Sequence, residues 1–64
     1  MAKKNVENTI NFTKTNGNTA VAEVLKGGNV DVTINNPGNV TVIRHFDNVD
    51  AMNAEMKSME YQAV

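Results

Sequence analysis

The chain has 64 residues, no cysteine and a net charge of −1 from six basic and seven acidic side chains. That length bounds it to one domain with a thin core, which neither a disulfide nor a Cys/His metal cluster can staple. The near-balance of charge disfavours a generic DNA binder, which needs several cations on one face, and a nucleic-acid mimic, which needs a dense acidic surface.

Residues 1–7, which include Lys3 and Lys4, read as a short N-terminal arm without the apolar run of a secretory signal. Thr9–Thr15 reads as a first strand, because Ile10 and Phe12 alternate with Asn11 and Thr13. Asn16-Gly17 favours a tight hairpin turn. Thr19–Lys26 is a second strand with apolar groups on both faces and Glu23 in its middle. Gly27-Gly28 closes it. Asn29–Ile34 follows with a clean alternation of Val30, Val32 and Ile34 against Asp31 and Thr33. Asn35-Asn36-Pro37-Gly38-Asn39 is a turn, with Pro at a position that fixes φ and Gly where positive φ is needed. Val40–Phe46 is the fourth strand.

After Phe46 the period changes. Val49, Met52, Met56, Met59 and Ala63 recur at helical spacing and form one apolar stripe. Asp47 is placed to cap the helix, with Asp50 three residues on, and the helix is expected over residues 48–62. The chain thus reads as α+β, one domain over residues 1–64: a four-stranded antiparallel β-meander over residues 8–46, then an amphipathic helix within residues 47–62 that packs on one sheet face.

Register depends on loop length. With two-residue loops Phe12 pairs with Val21, Val21 with Ile34, and Val32 with Glu23 and Ile43. One face then collects Ile10, Phe12, Val21, Leu25, Val30, Val32, Ile34 and Ile43, and Asp31 faces Arg44 across the strands. A longer or bulged third loop instead turns Val40 and Val42 inward and Ile43 outward, and this is the favoured reading. Either register leaves aliphatic groups on the face away from the helix. Glu23 meets water if its strand is turned over; otherwise it is a partly buried carboxylate paired across an interface.

Eleven asparagines stand out, most of them at strand ends and turns, where Asn tolerates positive φ and bonds its own backbone. No catalytic, metal-ligating or cofactor-binding motif is present. His45 is the only histidine, Ser58 the only serine and Tyr61 the only tyrosine, so no nucleophile–base–orienter set is evident. Phe12, Phe46 and Tyr61 are too few to form a stacking platform for single-stranded nucleic acid.

The ββββα plan resembles many small bacterial and phage-encoded proteins that act by binding something else, a likeness of fold and size that carries no residue across. The expectation is therefore a non-enzymatic, cytoplasmic protein-interaction module. Such a module would be an inhibitor, adaptor or accessory factor, phage- or mobile-element-encoded, acting on a host protein. The alternative is a self-assembling homo-oligomer with a structural or small-ligand-sequestering role. Nucleic acid is a weaker partner class, and no membrane or cofactor is implied. The candidate partner-binding residues are Met56 and Met59, where a Met stripe can overhang a small sheet, with Tyr61, Glu23, Arg44 and His45.

Overall fold

The computed structural model describes residues 5–36, 38 and 41–64. Lys3, Lys4, the Pro37 turn position and Val40 lie outside the described residues. The elements in chain order are β1 (Val6–Thr13), β2 (Thr19–Leu25), β3 (Val30–Asn35), β4 (Val42–Phe46), α1 (Val49–Ser58) and β5 (Gln62–Ala63). The strands form one antiparallel sheet in the order β4-β3-β2-β1-β5, and α1 packs against one face of it. The expected meander and helix are present. The short fifth strand was not expected.

Loop length sets the register. The Lys14 N–H donates to the Asn18 carbonyl at 2.9 Å and the Gly17 N–H to the Lys14 carbonyl at 3.1 Å, with Gly17 at φ 95°. These bonds close a three-residue loop whose last residue needs positive φ. The second hairpin repeats the device: Leu25 donates to Asn29 at 2.8 Å and Gly28 to Leu25 at 3.0 Å, with Gly28 at φ 97°. Each loop is therefore one residue longer than the two-residue reading, and each inverts the next strand. Phe12 faces Ala20 rather than Val21, Ala20 faces Ile34, and Val32 faces Ala22 and Arg44 rather than Glu23 and Ile43. Two inversions cancel, so β1 and β3 keep their expected faces. β2 turns over, and β4 takes the favoured orientation, with Val42 on the helix side and Ile43 outward.

The core is therefore Phe12, Ala20, Ala22, Val30, Val32, Ile34, Met52, Met56 and Tyr61. The alanines of β2 are small, and Met52 and Met56 of α1 fill the space above the sheet. Val21 and Leu25, expected inside, lie on the opposite face. Ile43 points outward, as the longer third loop requires, and is 56% exposed.

Both ends of α1 differ from expectation. Asn48, not Asp47, is the N-cap: its Oδ1 accepts from the Ala51 N–H at 2.7 Å. At the other end, Glu60 adopts φ 67°. Its N–H donates to Lys57 and that of Tyr61 to Met56, the paired bonds of a Schellman motif. Tyr61 then enters the core beside Met56. The chain leaves the helix axis and pairs Ala63 with Phe12 and Gln62 with Thr13. Ala63 is thus a strand residue and no part of the helical stripe.

Candidate functional site: the β4 edge and the uncovered sheet face

Strand alternation leaves one sheet face without a covering layer among the described residues. Its rows follow from the register. One runs Thr9, Glu23, Asp31, His45 across the four long strands; the next runs Asn11, Val21, Thr33, Ile43. Glu23 is half-buried in the middle of the first row. Its strand is turned over relative to the two-residue register, as the simpler of the two expectations for it required.

Asp31 stands out in that row. It is 7% exposed, the one buried polar or charged side chain among the described residues, and its Oδ1 lies 2.5 Å from His45 Nδ1. An ionised carboxylate only accepts hydrogen bonds, so Nδ1–H is the donor. The His45 side chain is 74% exposed. This corrects the expected Asp31–Arg44 pair, which rested on the two-residue register.

Arg44 points to the helix side instead. Its guanidinium lies 3.4 Å from Glu55 of α1 and over the Phe46 ring at 5.9 Å from the centroid. Arg44 thus links the edge strand to the helix through an exposed ion pair, a weak contact.

The remaining sequence candidates sit elsewhere. Met56 is 1% exposed and Tyr61 7%, so both serve the core rather than a surface, and Met59 is half-buried against the same core. Lys14 lies over the Tyr61 ring at 5.2 Å from the centroid. A shallow depression of about 410 Å³ beside it is lined by Thr15, Lys57, Glu60, Tyr61 and Gln62. Those residues show no convergent catalytic geometry. Among the described residues no three His, Cys, Asp or Glu side chains cluster to hold a metal ion. No helix among them is long and apolar enough to cross a membrane.

Arg44 and His45 lie on β4, the open edge of the sheet. Among the described residues no strand pairs with the outer side of β4. Val42 is 39% exposed beside Ile43, so the edge carries apolar groups on both faces. The opposite side of the sheet is defended differently. β5 covers Phe12 and Thr13, and the rest of β1 carries Glu7, Asn8, Thr9 and Asn11 beside Ile10 and a 39% exposed Val6, with an irregularity between Val6 and Asn8. Polar side chains and bulges are how sheet edges avoid pairing. β4 has no lysine, proline or bulge, and its one permanent cation is turned toward Glu55.

No family, no curated protein and no solved structure matches the chain.

Proposed function

We propose that the chain is a small non-enzymatic protein-interaction module that takes an extended polypeptide segment onto the outer edge of β4. The observation that carries this reading is the state of that edge. It is unpaired among the described residues, regular over Val42–Phe46 and exposes Ile43 at 56%. An added strand would satisfy the outward backbone groups of β4 and cover Val42 on one face and Ile43 on the other. An inhibitor, adaptor or accessory factor acting on a host protein is the form such a module takes.

The non-enzymatic part of the reading rests on geometry. His45 is oriented by Asp31, which a general base requires, but the only serine in the sequence, Ser58, ends the helix on the opposite side of the sheet. Self-assembly is the second reading. It is favoured by the apolar residues at both ends of β4, which flank Arg44 and can pair with each other across two copies.

The test is capture from a cell extract on the immobilised chain, with wild type and Ile43→Lys side by side. A protein retained by the wild type and lost by the variant supports the reading. Equal retention by both overturns the placement on β4, and no retention by either, in a chain that also stays monomeric, overturns the reading.

A further inference from the structure

Strand β4 reads Val42-Ile43-Arg44-His45-Phe46, with an apolar residue at each end and Arg44 at its centre. We infer that the segment received by the β4 edge is β4 of a second copy of this chain, paired antiparallel about a two-fold axis at Arg44. This inference rests on the strand-addition reading and names its partner.

The geometry constrains the pairing. Two copies of one strand related by a two-fold axis normal to the sheet must pair some residue with itself. Of the choices within β4, only Arg44 at the axis pairs all five residues. Val42 then lies opposite Phe46 of the second copy, Ile43 opposite His45, and Arg44 opposite Arg44. Moving the axis to Ile43 sets apolar Val42 against Arg44 and leaves Phe46 outside the strand pair.

On the helix side, register and alternation place Val42, Arg44 and Phe46 in one row. Two Val42–Phe46 pairs then flank the centre, apolar against apolar. The centre holds two guanidinium groups, which repel. Each, however, has Glu55 of its own helix at 3.4 Å. The cluster is therefore two cations and two anions, neutral as a whole, with each Glu55 serving the facing Arg44 as well as its own.

On the uncovered face, Ile43 of each copy sits beside His45 of the other. There it flanks the row in which Asp31 bonds His45, and the neighbouring strand covers part of the isoleucine that is 56% exposed in the single chain. The product is one continuous sheet with both helices on the same side, and each remaining edge is the irregular, mostly polar β1 side with its short β5 cover. Association closes at two copies, because the defended edge does not template another strand.

The test is solution mass by light scattering over a concentration series, for wild type, Arg44→Glu, Glu55→Arg, the Arg44→Glu/Glu55→Arg swap and Ile43→Lys. The wild type is expected at twice the mass of one chain. Each single reversal leaves four like charges at the axis and raises the dissociation constant by roughly tenfold or more. The double swap restores neutrality and with it the dimer. Circular dichroism holds the fold constant across the set, because the exposed Arg44–Glu55 pair contributes little to a single chain.

A dimer that all the variants keep equally overturns the β4 interface. A wild type that stays monomeric overturns the second copy as occupant. In that case a protein captured by the wild type and lost with Ile43→Lys leaves the strand-addition reading standing, and no capture removes both.

Discussion

Asp31 and His45 are direct cross-strand neighbours on the uncovered face, joined by a 2.5 Å contact between Oδ1 and Nδ1. One partner is buried and the other exposed, so removing them has unequal consequences. Asp31→Ala deletes a carboxylate embedded in the sheet and is expected to cost about 1–3 kcal/mol in urea unfolding. His45→Ala removes a mostly solvated ring, and its expected cost is about 1 kcal/mol or less. The reverse order would mean that the ring, not the carboxylate, organises this row.

The same pair shows why part of the structure was legible in the sequence and part was not. Strand number, helix and fold class follow from alternation and from the shift to helical period after Phe46. Register does not, because Asn16-Gly17 and Gly27-Gly28 fit a two-residue loop and the last part of a three-residue loop equally well. One residue in the β3–β4 connection decides whether Asp31 meets Arg44 or His45, and one in the first hairpin decides whether Val21 or Ala22 lies under the helix. The end of α1 was illegible for another reason. The apolar stripe continues through Met59 and Ala63, and the residue that turns the chain back is a glutamate, which carries no stop signal. Met56 and Tyr61 belong to the core because of that turn; in a straight helix they could have overhung the sheet.

Met56 is the clearest discriminator between core and contact surface. Its side chain is 1% exposed and packs in the same cluster as Phe12, Val32 and Tyr61. Met56→Ala should destabilise the chain by about 2–5 kcal/mol through lost burial and the cavity left behind. Met56→Leu, close in volume, should cost less than about 1.5 kcal/mol. In so small a domain the alanine change removes much of the total stability, so its thermal unfolding should begin near room temperature or below. A Met56→Ala protein of unchanged stability would place this side chain outside the core.

The helix start offers a paired comparison. Asn48 has extended backbone and its Oδ1 takes the Ala51 N–H, whereas Asp47 lies one residue outside the cap. Asn48→Ala is expected to cost about 1 kcal/mol. Asp47→Ala should lose only a share of the helix-dipole interaction, about 0.3 kcal/mol. Chemical denaturation of both proteins checks the order, and a larger loss at Asp47 would move the cap.

The helix end offers the opposite sign. Glu60 sits at φ 67°, a conformation that costs an L-residue about 1–2 kcal/mol and glycine nothing. Its side chain is exposed, and the two bonds that close the helix come from the backbone N–H groups of Glu60 and Tyr61, which any residue supplies. Glu60→Gly therefore relieves strain without removing a contact of the core. Glycine also has the larger conformational freedom in the unfolded chain, which offsets part of the gain. The expected net effect is a stabilisation of about 0.5–1 kcal/mol, read as a higher urea midpoint at unchanged slope. Glu60→Ala, which keeps the strain, should stay near the wild type. Destabilisation by glycine at this position would mean that residues 59–61 do not make the turn that sends Tyr61 into the core and Gln62–Ala63 onto β1.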